Sequence, residues 1–500
     1  MTYIPRQELT RTAFGEIQAE AKTPQVQIKF PYNLNPCIVQ TLTNHTSSTV
    51  SVSSGTCSIL CAATYPAFSQ IRSLDALRYG PGQGAESLFT FCFTSGEALS
   101  SQVAGPGDDD EGFFFGYNGT AFGTLHRKHG ELEIKSLEIT AAAVGTGTIT
   151  ITIDGTAVPI EVTAGDSIAE VVTKIVAEGT TTTGFGNAGR GWEVHTDDNV
   201  NIEFISYVAE TAGGTFSFTD TDTTSVTAGA FSTVVVGVEP TNTWTAQADW
   251  NVDTMDGTGP SGMTFDPVKL NVFKISFQYL GAGAIEYSIE NAVTGAFQIV
   301  HRIQYAGTAT AASLRNPTLH LTAILKTESG YSGGVLTGIT ASMAGFIQGV
   351  ETKKGPRFSA HNTKSIGTTR TNILTVHNEI DWQSSKNKVS VYPDFMTISN
   401  EGAANKTFTF SIIEDPTEVA GTVAISNINS NCSVMGQDTA GTTITGGIEL
   451  MTFVMAGDES KEIDLKSLEM QIRPGQRWVI AGLGTATANM TAGITWIERI

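Results

Sequence analysis

GPGDDDEGFFFGYNGTAFGTLHRKHGELEI, residues 105–134, is the stretch on which the reading of this chain turns. An acidic turn, Asp108-Asp109-Asp110-Glu111, opens it. Phe113-Phe114-Phe115 follows, then Asn118-Gly119, then a second apolar run through Phe122 and Leu125. Asn-Gly between apolar runs predicts a β-hairpin, because both residues accept the positive φ of a type I′ turn. The aromatic run is too short and too β-prone for a helix, and suits a buried strand. A matching stretch, FKISFQYLGAGAIEYSIE, occupies residues 273–290. There Phe273, Ile275, Phe277 and Tyr279 alternate, Gly281 to Gly283 turn the chain, and Ile285, Tyr287 and Ile289 alternate again. The two stretches are predicted to be halves of one β-sandwich, separated by an insertion.

Composition agrees with an all-β chain. Five hundred residues allow several domains with ample core. Gly is frequent at 52 residues and charged residues make up only 16%, as turn-rich β domains require, while 40% apolar content excludes a disordered chain. The formal net charge of −20 opposes nucleic acid or an anionic membrane as partner, since phosphate binding needs a basic face. Cys37, Cys57, Cys61, Cys92 and Cys432 are odd in number and irregular in spacing, which argues against a disulfide framework. Cys57-x-x-x-Cys61 is half of a metal pattern with no second half. Free, mostly buried thiols and folding in a reducing cytosol are the expectation. The first twenty residues lack the apolar core of a signal peptide, and no apolar run has the length of a membrane span, so a soluble chain is expected.

Taken in order, residues 1–35 read as an N-terminal arm. An amphipathic start at residues 14–17 precedes an alternating strand from Thr23 to Phe30. Such an arm packs on its own sheet edge or crosses to a neighbour by strand addition. Residues 36–136 and 244–350 form one discontinuous sandwich of short strands. Residues 137–243 are an inserted α+β module. Thr148 to Ile153 leads into an Asp154-Gly155 turn, and a helix follows, capped by Asp166 or Ser167, with Ile168, Val171, Val172, Ile175 and Val176 as its apolar stripe. Insertions of this kind are tolerated at exposed loop tips. After a charged linker at residues 351–356, residues 357–500 form a further β-sandwich.

Gly112-Phe113-Phe114-Phe115-Gly116-Tyr117, with Phe122-Gly123 and His126-Arg127, resembles a pattern of virion structural proteins of bacteriophages and large DNA viruses. Asp256-Gly257-Thr258-Gly259-Pro260-Ser261-Gly262-Met263, Gln278-Tyr279-Leu280-Gly281 and Ser313-Leu314-Arg315-Asn316-Pro317 are similar to it as well. The resemblance implies a mainly β fold: a concanavalin-like or laminin-G-like sandwich interrupted by the α+β insertion. The C-terminal unit resembles a jelly-roll sandwich. The implied role is a structural protein of the virion surface, tail or fibre, made in the host cytoplasm without a signal peptide. Its implied partners are itself, as a homo-oligomer, and other virion proteins, with a host surface glycan as the ligand for attachment. The resemblance carries no catalytic residue, and no enzyme is expected.

Candidate sites are few. Asp249, Asp253 and Asp256 before Gly257 are a candidate Ca²⁺ site, because spaced carboxylates ahead of a glycine can converge on one ion. Their spacing departs from the EF-hand loop, and solvated turns are the competing reading; no other cofactor is expected. Asp108 to Glu111 reads first as a solvated turn and second as a Ca²⁺ turn. His126 and Arg127, with Lys128 and His129, read as a small exposed basic loop, either plain surface or a contact for a glycan or a partner's carboxylates. Trp250 is a candidate stacking platform for a sugar, against the commoner fate of a sandwich aromatic in the core. Two alternatives to a structural role stand: a stand-alone lectin, or a carbohydrate-active enzyme with Glu286 and Glu290 as candidate acids. The latter needs two carboxylates facing across a cleft, whereas these two lie four residues apart on one strand.

Overall fold

A computed structural model of the chain describes residues 22–180, 184–196, 198–351, 354–418 and 425–499. The expected amphipathic start at residues 14–17 lies outside the described residues. Gly112–Asn118 and Ala121–Lys128 pair antiparallel, from Gly112↔Arg127 to Asn118↔Ala121. The turn is therefore Gly119-Thr120, one residue later than the Asn-Gly pair suggests. Gly119 has φ +58°, whereas Asn118 and Thr120 stay out of the left-handed region. One positive φ at the first central position is the pattern of a II′ turn, which needs only the single glycine.

Phe113, Phe114 and Phe115 are all fully buried because both faces of their strand are covered. Phe113 and Phe115 point into the main core, while Phe114 packs on the other face with Leu42, Phe68, Val103, Leu125, Tyr207 and Ile324. Their strand lies within a seven-stranded sheet of the described residues, ordered Thr241–Ala246, Ala121–Lys128, Gly112–Asn118, Ser100–Pro106, Thr318–Thr327, Phe68–Arg78 and Val39–Thr43. The facing nine-stranded sheet holds the second hairpin, Asn271–Phe277 paired with Ile285–Glu290. The hairpins meet ring to ring across the sandwich: Phe115 to Phe273 at 4.8 Å, Phe113 to Phe277 at 5.1 Å and Phe115 to Tyr287 at 5.3 Å. The Tyr287 hydroxyl donates to the Leu125 carbonyl at 3.0 Å and ties the two sheets directly. Each such ring, once buried, contributes roughly 1.5–3 kcal/mol.

The strand Lys22–Lys29 pairs with Ser342–Gln348 of its own chain and buries Val26 and Ile28. This part of the arm thus completes its own sandwich. The chain leaves the seven-stranded sheet after Lys128 and returns at Thr241, which is the direct partner of Lys128. Exit and re-entry on paired residues let a whole module be inserted without disturbing the ladder. The module packs its own core, from Leu137 and Ile149 to Ile202 and Phe204, against the helix Ile168–Ala177. Ser167 caps that helix in a capping box with Glu170, and Val171, Val172 and Ile175 are its buried face. Asp166 pairs instead with Lys174 at 2.5 Å.

Beyond residue 356, eight longer strands follow in order among the described residues: Arg357–Ile366, Thr371–Asn378, Ser390–Asn400, Thr407–Glu414, Ile448–Ala456, Ser460–Asp464, Arg477–Gly484 and Ala488–Arg499. They pair first with eighth, second with seventh, third with sixth and fourth with fifth. The sheets they build run first-eighth-third-sixth and second-seventh-fourth-fifth, the winding of a jelly roll, around a core that includes Phe408, Phe410, Trp478 and Trp496. The third strand is longer than its sequence suggests, since Pro393 sits within it at a register shift between Pro393 and Phe395. A bulge is where a strand tolerates a residue with no N–H to donate. The fold is mainly β, built of antiparallel sheets packed as sandwiches. Of the thiols, Cys57 and Cys61 are buried while Cys37 and Cys432 are exposed, so burial holds for only part of the set. Burial pushes the Cys57 and Cys61 thiols up to about 12, which leaves them unreactive at neutral pH.

Candidate functional site

The acidic turn is the most elaborately built place in the molecule. It joins Ser100–Pro106 to Gly112–Asn118, and Gly107 bridges Gly112 beneath it. A Cβ on Gly112 would lie 2.5 Å from the Gly107 Cα, so glycine is required for that approach. Asp108, Asp109, Asp110 and Glu111 are at most 4% exposed, which overturns the reading of a solvated turn. Each carboxylate has its own partner. Asp108 meets Arg72 at 2.8 Å, and Arg72 also holds Glu193 of the inserted module at 2.7 Å. Asp109 meets Arg127 at 2.7 Å and Lys326 at 3.0 Å, and accepts the Ala209 amide of the module at 3.2 Å. Asp110 meets Lys388 of the jelly roll at 2.7 Å. Glu111 accepts the amides of His129, Arg315 and Asn316 at 2.9–3.1 Å.

One turn of the sandwich therefore grips both other units by charge. Burial opposes ionisation of Asp108, but the adjacent Arg72 guanidinium prevails and holds its carboxyl well below the usual range. Glu193 is lowered by the same contest between burial and Arg72. Lys388 is raised, because Asp110 and Glu111 outweigh its desolvation. A buried pair of this kind adds little over a well-packed apolar pair, but it rejects any arrangement that leaves a charge unpaired. Its chemical work is orientation.

The residues nominated from sequence fall elsewhere than expected. His126 and Arg127 are 3% and 1% exposed, on a strand and not on an exposed loop. His126 donates from Nε2 to the Ser313 carbonyl at 2.8 Å and packs on Phe113. Burial pushes its imidazole down to about 4. Arg127 lies over the Phe114 ring and donates from Nε to Asn242 at 3.0 Å, with Asp109 as its counter-ion. Trp250, 4% exposed, packs edge-on to Phe115 in the main core, so it offers no face to a sugar. The hairpin register carries a signal that would have found this. A turn at Gly119-Thr120 sets Gly112 opposite Arg127, which brings Asp108–Glu111 beside the basic end of the second strand.

The aspartates do not gather. Asp249 is exposed at the end of a short 3₁₀ turn, Gln247–Asp249. Asp253 is buried and accepts the Met255 and Ser261 amides, each at 2.9 Å. Asp256 is exposed and accepts the Thr258 amide at 2.9 Å and the Thr254 hydroxyl at 2.9 Å. Backbone amides take the oxygens that an ion would need, and among the described residues no three His, Cys, Asp or Glu side chains converge as a metal site. Glu286 is held by Arg302 at 2.7 Å.

A cleft of about 540 Å³ opens between the edge strand Val39–Thr43 and the inserted module, with Gln40, His45, Glu193, His195 and Tyr207 among its walls. A smaller one of about 190 Å³ continues from His195 to Asp415 and Arg477 of the jelly roll. Both are seams between units. The Glu193 carboxylate in the larger seam is already bound by Arg72, through two hydrogen bonds at 2.7 and 3.0 Å, and by Gln40.

No protein-family model matches the chain, and no curated protein matches it. Among solved structures, it is similar to arcelin-5, a lectin-like defense protein from Phaseolus vulgaris, at 6% identity and TM-score 0.23, covering 66% of this chain and all of that one. A lectin from Bauhinia forficata in complex with GalNAc gives 9% identity and TM-score 0.21 over 65% of this chain and all of its own. A chain of Sulfolobus turreted icosahedral virus gives 7% identity and TM-score 0.16 over 96% of this chain and 98% of that chain. Likenesses at these scores carry no weight in the functional argument, which rests on the topology and the buried charges.

Proposed function

We propose that this chain is a non-enzymatic structural protein of a virus particle, acting by assembly with copies of itself and with other virion proteins. The observation that carries the reading is the eight-strand winding of residues 357–499, since jelly rolls recur in capsid and lectin domains and serve as building blocks there. The buried charge hub supports it, because a particle component must present its domains in one fixed relation. An acidic exterior with net charge −20 suits contact with other proteins better than with nucleic acid.

The test is assembly. The purified full chain is expected to form a discrete multimer in sedimentation velocity at micromolar concentration, with ring- or spike-like objects in negative stain. A monodisperse monomer up to millimolar concentration would sink the proposal.

A further inference from the structure

The six-stranded sheet of the jelly roll ends at Ile448–Ala456, which pairs only with Thr407–Glu414 among the described residues. An antiparallel strand directs alternate amides and carbonyls away from its neighbour, so a free edge is a template for another strand. Several other edge strands of this chain are blunted, whereas Val39–Thr43, Thr49–Ser53 and Thr241–Ala246 carry neither proline nor charge but are rich in Thr, Ser, Asn or Gln. Thr156–Val162 contains Pro159, Phe297–Ile303 contains Arg302, Arg357–Ile366 contains Lys364, and Ser460–Asp464 contains Lys461. Charge and proline at an edge discourage pairing with a second chain. Ile448–Ala456, with sequence IELMTFVMA, has neither proline nor lysine; its lone charge, Glu449, is matched by Arg370 at 3.2 Å, and its one irregularity is a bulge at Leu450, where the register against Ile412 and Ile413 shifts.

The strand carries apolar residues on both faces, and apart from the buried Met455 they are left partly or fully exposed. Ile448 and Val454 are 59% and 60% exposed. Met451 and Phe453 lie opposite Ile412 and Phe410, which are fully buried, yet remain only half-buried themselves. The core is thus open along this edge.

We propose that the edge strand Ile448–Ala456 pairs antiparallel with the same strand of a second copy about a two-fold axis at Thr452. This deepens the assembly reading by naming a surface through which copies meet. The register is self-complementary in shape and charge. Leu450 of one copy faces Val454 of the other, Met451 faces Phe453, and Thr452 faces Thr452, a favourable cross-strand pair. Glu449 faces Met455, and the two Glu449 side chains sit roughly 20 Å apart, six residues at about 3.4 Å each. No like charges oppose one another in a chain that otherwise repels its copies. The partner strand covers Met451 and Phe453, and the interface is isologous, the same patch on both copies.

Two measurements on the full chain test it. Val454→Lys places a charge on an exposed edge position, and its far-UV spectrum and melting temperature are expected to match the wild type. Its self-association, followed by sedimentation over a concentration series, is expected to weaken by tenfold or more. Thr452→Cys, in a background carrying Cys37→Ser and Cys432→Ser, is expected to cross-link into a covalent dimer under mild oxidation, because a directly opposed strand pair brings the two Cα atoms to about 4.5–5.5 Å. Glu449→Cys in the same background is expected not to. A wild type that multimerises while Val454→Lys associates equally well and Thr452→Cys stays uncoupled would overturn this interface and leave the assembly reading standing. A wild type that is monomeric throughout overturns both.

Discussion

Asp109 shows how much a single side chain can carry. It is fully buried, sits between Arg127 and Lys326, and accepts the Ala209 amide of a different unit. Asp109→Ala leaves two cations facing a void in a low-dielectric site. Removing one member of a buried pair costs about 3–5 kcal/mol, far more than the pair itself contributes over apolar packing. Urea unfolding should therefore register a loss of that size. Asp256→Ala, at an exposed turn, should change stability far less, chiefly through its lost turn hydrogen bonds. If the two variants proved equally mild, the acidic turn would not be the hub described here. Both aspartates sit in acidic, glycine-flanked turns of similar appearance in the sequence. What separates them is whether a cation from elsewhere in the fold lies over the turn.

At the level of the element, the hairpin 112–128 answers to its own residues. Glycine at the turn, alternation on the second strand and β-prone aromatics on the first are local facts, and each is legible. The unbroken Phe113-Phe114-Phe115 run also announces a strand covered on both faces, though not what covers it. Phe114 tests that second layer, since it belongs to the small cluster beneath the inserted module. Phe114→Ala is expected to cost about 3–5 kcal/mol, the usual range for a buried phenylalanine. The loss should appear in chemical denaturation, with faster hydrogen exchange at Tyr207 and Val208 than in a Phe115→Ala control. Equal protection there in both variants would show that Phe114 does not support the module. The helix Ile168–Ala177 was legible for the same reason as the hairpin, its cap and stripe lying within a dozen residues. The strands Ser100–Pro106 and Arg357–Ile366 were not, because their residues are small or polar and their pairing comes from distant partners.

Across the whole molecule, the junction of the units predicts a definite response to acid. His126 is held neutral by burial, at about 4 against an ordinary value near 6.5. The unfolded chain therefore binds the proton first, and stability present above pH ~6.5 declines as pH falls toward 4. For His126 this amounts to on the order of 3 kcal/mol, at about 1.4 kcal/mol per pH unit. His320, half-buried beside Arg72, is pushed down to about 3 by desolvation and by that guanidinium, and acts in the same direction. Asp108 and Glu193, both depressed, retain their contribution until pH drops below the ordinary carboxylate range near ~4. The melting temperature should thus fall in two stages, first between pH 6.5 and 4 and then more steeply below. His126→Gln should flatten the first stage; an unchanged slope in that variant would show that His126 does not set it.

By itself the sequence determined the β class, the two aromatic hairpins, the capped helix and the winding of apolar residues toward a core. These follow from periods of two and 3.6 and from turn chemistry, which act over a few residues. Only the tertiary structure decided which charges lie inside. A carboxylate's surroundings are set by residues far along the chain, as Lys388 is from Asp110 and Glu193 from Arg72. The cost of burying a charge is offset only when such a partner arrives, so the same four acidic residues that read as a wet turn became the joint of the molecule.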